Sequence, residues 1–170
     1  MPCTQTFSGI ARDCETSMGG VKRVLLANAA DIATKTLTDN RVSAVTMSGT
    51  AKFHEYLFNP ETANFASTYQ VNRTNGTRYV QTLLQMAFTR MDTAKRVEIV
   101  AIASAETVAI VEDMNGKYWF LGWDAPLEIN AGDGGTGTAR ADRNGYGVTL
   151  EDDSLELPYE VDASIVDGLL

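Results

Sequence analysis

The sequence predicts a mainly β fold, namely an antiparallel β-sandwich or barrel with one flanking α-helix, a long hairpin and extended terminal arms. Three observations predict it. Runs of β-branched and apolar residues recur along the chain between turn signals. Only one segment has a strong helical pattern. Asn-Gly pairs at 75–76 and 115–116 each separate two β-prone runs, which is a strong hairpin signal.

The chain has 170 residues, of which 44% are hydrophobic and 21% are charged. This is enough for one domain with a real core and too little for two comfortable ones. We expect a flexible N-terminal arm over residues 1–20, a single β-rich domain over 21–150, and an acidic C-terminal arm over 151–170.

The first strands are predicted from β-prone runs at 21–28, 42–47 and 52–58. The third run ends at Asn59 and Pro60, a pair that breaks regular structure.

A long hairpin is predicted over residues 66–88. Two runs, 67–72 and 78–88, flank a polar tip at 73–77, where Asn75 and Gly76 adopt positive φ cheaply. The second run alternates, and its better core face consists of Val80, Thr82, Leu84, Met86 and Phe88.

One helix follows, with Asp92 as its N-cap and residues 93–104 as its body. Positions 94, 97, 101 and 104, with Val100 beside them, form one stripe, which we expect to be buried against the sheet.

The second half of the chain contains another hairpin, with strands at 107–114 and 117–123 around Asn115 and Gly116. The glycine-rich residues 131–145 are predicted to form a loop, and 146–151 a last strand. The total is about seven strands.

The C-terminal segment 151–170 contains seven acidic and no basic residues, yet it is also rich in apolar side chains. A purely solvating tail would not carry so many, so we predict an intersubunit arm. Pro158 favours an extended run along a sheet edge. The alternative is that the segment packs on its own sheet. The predicted assembly residues of the hairpin tip and this arm are Arg73, Thr74, Asn75, Gly76, Thr77, Pro158, Tyr159, Val161, Ile165 and Leu169.

Catalytic motifs are weak. His54 is the only histidine, it lies in a predicted strand, and no nucleophile elbow accompanies it. Glu112 and Asp113 adjoin a turn, where side chains are usually exposed, so they make a poor acid–base pair. We therefore expect a protein that is not an enzyme.

Two segments resemble cofactor-binding or metal-binding motifs but lack the other parts that such sites require. Residues 132–137 match GxGxxG, but they lack the following helix that a dinucleotide site requires. Residues 142–145 resemble part of a calcium loop without its bidentate glutamate. We expect no cofactor and no metal. A carbohydrate site formed by Trp119, Trp123 and the 131–145 loop remains an alternative.

Two further features of the sequence bear on the cellular compartment of the protein. Cys3 and Cys14 could form a disulfide, but the N-terminus has no secretory pattern, so free thiols are favoured. No apolar run approaches the length of a membrane span. We expect an aqueous, cytoplasmic place of synthesis.

Several segments together resemble tail proteins of tailed bacteriophages, especially small tail-tube-like proteins of phages that infect Bacteroidetes. The resemblance covers nearly the whole chain, and its motifs are turns and strands. They are residues 19–22, 72–79, 110–122, the glycine-rich 132–137 with 144–146, and 157–161.

The resemblance implies a virion structural protein, a tail tube protomer whose β-sandwich joins into a ring, usually a hexamer. Such rings stack, a long hairpin and terminal arms bridge neighbours and other tail proteins, and DNA passes down the lumen without specific binding. A tail terminator or head–tail connector ring is the nearest alternative. The expected location is the virion tail, with assembly in the host cytoplasm.

Overall fold

The computed structural model describes residues 5–170 and has eleven strands within that range. In chain order they are β1 (Val21–Asn28), β2 (Ile32–Thr38), β3 (Arg41–Met47), β4 (His54–Leu57), β5 (Ala63–Asn72), β6 (Thr77–Thr89), β7 (Thr107–Asp113), β8 (Tyr118–Leu121), β9 (Glu128–Gly135), β10 (Gly145–Ser154) and β11 (Tyr159–Val161). The helices are α1 (Thr93–Ser104) and the short α2 (Ala163–Val166).

The strands form two sheets. The seven-stranded sheet has the order β2-β3-β11-β8-β7-β1-β4, and the four-stranded sheet has the order β5-β6-β10-β9. All pairs are antiparallel except β11 with β3. The predicted mainly β fold is therefore confirmed, as an open sandwich.

A first core fills the space between the two sheets. It takes alternate residues from strands of both layers, as the period of two requires. Its members include Val24, Leu26, Leu84, Met86, Ala109, Val111, Leu121, Val148 and Leu150. The predicted inward face of β6 is correct, since Val80, Thr82, Leu84 and Met86 are buried and Phe88 packs against the cluster.

A second core covers the other face of the seven-stranded sheet. Leu25, Val108, Ile110 and Phe120 lie under side chains from the C-terminal residues, including Val166 and Leu169. The large sheet is thus covered on both faces by its own chain. The small sheet buries only one face.

Helix α1 begins as predicted, because the Asp92 side chain accepts a hydrogen bond from the Lys95 amide at 2.8 Å. Its predicted buried stripe is wrong. Val97 and Val100 are 57% and 54% exposed, whereas Ile99 and Ile102 pack into the first core. The helix is rotated to bury its two isoleucines, which remove more apolar area from water than valine and alanine do.

Two strands were not predicted, β2 and β9, and β11 was predicted only as part of an extended run along a sheet edge over residues 155–161. The predicted 131–145 loop is wrong over its first part, because β9 runs through Glu128–Gly135 and pairs with β10. Its glycines have a steric reason at one position: a Cβ on Gly134 would lie 2.8 Å from the Tyr146 ring. Only a residue without a side chain fits so close to that ring.

The predicted C-terminal arm is also wrong. Residues 151–154 continue β10, and β11 lies between β3 and β8 inside the large sheet of its own chain. Pro158 does not prevent this, because it precedes the strand, where no ladder hydrogen bond is required of it. The segment packs on its own sheet because this buries Val161, Val166 and Leu169.

The N-terminal residues 5–17 lie outside the sandwich without regular structure, and Phe7 and Ile10 are fully exposed or nearly so. The chain meets the sandwich at Met18, whose amide donates to Asn115 Oδ1 at 2.8 Å. Within residues 5–170, no helix combines the length and the apolar character needed to cross a membrane.

Candidate assembly surface

The hairpin of β5 and β6 extends beyond the rest of its sheet. The pairing of β6 with β10 stops at Val80 and Ser154, while its pairing with β5 continues to Asn72 and Thr77. Residues 70–79 therefore project as a two-stranded ribbon with no third strand. A ribbon of this kind has little stability of its own and needs contacts on one of its faces.

One face of this ribbon continues the core-facing side of the sheet. Tyr69 lies opposite Val80, which is fully buried, and Val71 lies opposite Arg78 on the same side. Yet Tyr69 is 47% exposed and Val71 is 59% exposed, because no opposing sheet covers them. The Arg78 guanidinium lies 5.9 Å from the centre of the Tyr69 ring, a cation–π contact. We call Tyr69, Val71 and Arg78 the ribbon face.

The tip of the ribbon is a defined turn. Asn72 Oδ1 accepts from the Thr74 amide at 3.0 Å, and Asn75 Oδ1 accepts from the Thr77 amide at 3.1 Å. Gly76 has φ of +74°, which suits glycine. These contacts present the exposed Arg73 at the end of the ribbon. The predicted tip residues 73–77 are thus together and accessible.

The four-stranded sheet has two edges, β5 and β9, and neither pairs with another strand of residues 5–170. Edge strands usually carry charges, proline or a bulge that discourage pairing with another chain. The ten residues of β5 include no charged residue and no proline. This edge has none of those protections.

A hydrogen-bonded ladder crosses the outer face of the same sheet from edge to edge. Gln70 donates to Gln81 at 3.1 Å, and Gln81 donates to Glu151 at 2.6 Å. Glu151 also accepts from Asn130 on β9. Arg78 is the basic residue of β5, β6, β9 and β10, and it lies on the opposite face. The outer face carries one guanidinium from the loop before β10, since Arg143 lies over Gly147 and pairs with Asp133 at 2.5 Å.

An acidic notch lies where β9 stops short of the end of β10. The pairing ends at Glu128 and Glu151, while β10 continues to Ser154. A cavity of about 300 Å³ lies there. We call it the acidic notch; its lining includes Pro126, Glu128, Ile129, Glu151, Asp152 and Asp153. Leu155, next along the chain, is 68% exposed.

The predicted assembly residues of the C-terminal segment are not grouped on the surface. Val161 and Leu169 are buried in the second core, and Ile165 packs against it. Tyr159 contacts the Trp123 ring edge-on at 5.4 Å between centroids. Pro158 is half-buried. The hairpin tip and the C-terminal residues therefore do not form one site.

Glu112 was expected to be exposed, and this is wrong, because it is only 4% exposed. It accepts from Lys22 Nζ at 2.8 Å and from Arg23 Nε. Burial acts to raise the pKa of Glu112, but the hydrogen bonds from Lys22 and Arg23 hold it below its ordinary value. A carboxylate held ionised between two cations is a structural ion pair and a poor proton donor.

Asp152 is the second buried carboxylate, also 4% exposed. Its Oδ2 accepts from the Gly122 amide at 2.8 Å and from Ser154 Oγ at 3.0 Å. Its Oδ1 has no hydrogen-bond partner among the described residues. Burial raises the pKa of Asp152, against the opposing effect of these hydrogen bonds.

The remaining candidate catalytic and metal-binding residues are not grouped into a site. His54 is exposed on β4, and Asp113 accepts from the Trp119 indole at 3.0 Å. Cys14 is exposed, and its predicted relation to Cys3 falls outside the described residues. Among residues 5–170, no group of three or more His, Cys, Asp or Glu side chains could hold a metal ion.

The proposed carbohydrate residues are dispersed. Trp119 packs against the first core and Trp123 against the second, so they lie on opposite faces of the large sheet. Trp123 is also occupied, with Phe120 edge-on at 5.4 Å and Lys35 Nζ at 4.8 Å from its ring centre. The two rings cannot stack on one sugar.

Fold and surface together define a two-layer β-sandwich with an unpaired ribbon and an open, uncharged sheet edge. No family model matches the chain, and no curated protein and no solved structure matches it either. The resemblance to phage tail proteins therefore stays a prediction.

Proposed function

We propose that this protein is a structural subunit that assembles with copies of itself into a ring, and that the ring is one layer of the tail tube of a tailed bacteriophage. The observation that carries the proposal is the open edge β5. A ten-residue edge strand without charge or proline is a template for pairing with another chain. The opposite edge, β9, is also unpaired, although it carries Glu128, Asp133 and a bulge, so one copy can offer its unprotected β5 to the β9 of the next.

Contacts between two different surfaces are heterologous, and they close into a ring when the rotation between copies allows it. In such a ring the small sheets of all subunits join edge to edge, and their outer faces line one side. The amide ladder from Gln70 to Asn130 would then meet the ladder of the neighbour.

The outer face suits a DNA conduit. Its strands supply amides, hydroxyls and carboxylates, and Arg143, which lies over this face, is already paired with Asp133, whereas phosphate binding depends mainly on available Lys and Arg. DNA could slide along such a surface. A tail terminator or head–tail connector ring would be joined by the same edge-to-edge contacts, but its rings would not stack into a tube.

Electron microscopy of negatively stained protein, over a series of concentrations, tests the proposal. We expect rings of uniform diameter, with stacked rings or tubes at the highest concentration. Rings that never stack favour the terminator or connector. A protein that remains monomeric throughout the series contradicts the proposal.

A further inference from the structure

The two exposed surfaces that the fold leaves unpartnered have opposite charges. Within the ribbon, residues 70–79, the charged residues are Arg73 and Arg78, and both are basic. From residue 144 to the C-terminus it has no basic residue at all. The ribbon is therefore locally cationic, and the notch beside the end of β10 is anionic.

Both surfaces also expose apolar side chains. The ribbon face exposes Tyr69 and Val71, the notch exposes Ile129, and Leu155 is exposed just beyond the end of β10. Aromatic and arginine side chains at the centre of a contact are typical of interface hot spots. Carboxylates of the notch can accept the charge-assisted hydrogen bonds that Arg73 and Arg78 offer.

We propose that the ribbon of one subunit docks in the acidic notch of a second copy of this chain. The occupant is a second copy because the charges and apolar groups of the two surfaces complement each other, and both are left uncovered within one chain. The inference rests on the proposed function, since it specifies a contact within the ring that the open edges would form.

The position of the two surfaces makes the contact a lateral one. The notch begins at the end of β10 where Ser154 pairs with Val80, which is the base of the ribbon. Both surfaces thus lie at the same end of the sandwich. A neighbour placed beside β9 brings its own ribbon past the last pair of β9, next to the exposed Glu128 and Asp153 of the notch. The contact joins neighbours of one ring and does not join stacked rings.

Charge reversal of each surface tests the contact. Variant one is Arg73→Glu with Arg78→Glu, and variant two is Glu128→Lys with Asp153→Lys. All four residues are exposed, and none has a side-chain hydrogen bond to another described residue. Neither variant breaks a hydrogen bond or ion pair of the fold, and thermal unfolding by circular dichroism checks that both remain folded.

Sedimentation velocity measures the concentration at which each protein assembles. We expect each variant alone to require about tenfold more protein than the wild type, or to remain monomeric. Mixing the two variants restores assembly, because in an alternating ring every contact is again complementary. The acidic ribbon of variant one meets the basic notch of variant two, and the unchanged basic ribbon of variant two meets the unchanged acidic notch of variant one. A control with Arg96→Glu and Arg140→Glu, which are exposed elsewhere, assembles like the wild type.

The outcomes separate this inference from the proposed function. If the wild type forms rings and both variants assemble at the wild-type concentration, the docking contact is wrong and the ring stands. If the variants fail alone and their mixture also fails, the two surfaces do not meet each other. A wild type that never assembles overturns both proposals.

Discussion

The two sheets of this sandwich differ in how much of their surface the chain itself covers. The seven-stranded sheet is covered on both faces, and its C-terminal strand β11 lies between two other strands of the same chain. The four-stranded sheet leaves an outer face, two edges and a ribbon uncovered. The large sheet therefore stabilises the subunit, while the small sheet offers the surfaces through which we propose that subunits join.

Truncation after Asp153 should have the largest effect. It removes β11 and the buried Val161, Val166 and Leu169. Each such side chain contributes roughly 1.5–3 kcal/mol by burial, and the total rivals the whole stability of a small domain. We expect no cooperative unfolding transition by circular dichroism. A truncated chain that melts cooperatively near the wild-type temperature would show that the C-terminal segment is dispensable for the large sheet.

Glu112→Gln in the large sheet should come next. The substitution removes the buried carboxylate partner of Arg23, whose side chain is 18% exposed and which keeps its other partner, Glu55, at 2.6 Å. Because Arg23 stays paired with Glu55, we expect the free energy of unfolding to fall by about 2 kcal/mol in urea titrations. Lys22→Met is the matched control, and it should cost less than about 1 kcal/mol, because the Lys22 side chain is 62% exposed.

The loss caused by Glu112→Gln should depend on pH. Since the folded-state pKa of Glu112 is lowered, its contribution is present above its unfolded pKa of about 4.3 and disappears as pH falls through the folded value. Titrations at pH 7 and at progressively lower pH should therefore converge for the two proteins. Curves that stay parallel would mean that the ion pair does not supply the difference.

Asp152→Asn in the small sheet should have a smaller effect of the opposite sign. Because the pKa of Asp152 is raised, the charged form costs stability as pH rises through the folded value. The amide retains an oxygen for Gly122 and Ser154 and carries no charge. We expect a small gain at pH 7, reduced because the new amide N–H groups lie where Oδ1 has no partner, and this gain vanishes below the unfolded pKa, about 3.9. A loss at pH 7 would indicate that the charge itself is needed.

The sequence predicts the sandwich well where a local signal is strong. The long hairpin, the Asn115–Gly116 hairpin and the Asp92 cap follow from turn and capping chemistry within a few residues. The sequence does not predict a strand whose formation depends on pairing with residues far along the chain. β9 is rich in glycine and is a strand because β10 lies beside it, and β11 has only three residues between β3 and β8.

The same distinction applies to the site. The tip at 73–77 could be predicted, because its turn residues are local. The acidic notch could not, since it depends on β9 ending before β10 does. The burial of Glu112 was missed as well, although Lys22 and Arg23 at the start of a predicted strand offered the cations that pair with it.

The central claim is that the ribbon serves assembly and not folding, and deletion of residues 73–77 tests it most directly. These residues are all exposed, so the free energy of unfolding measured by urea titration should change by no more than about 0.5 kcal/mol. Over the same concentration series, the wild type should form rings by sedimentation and microscopy, and the deletion variant should remain monomeric. Rings of normal size from the folded deletion variant would contradict the account.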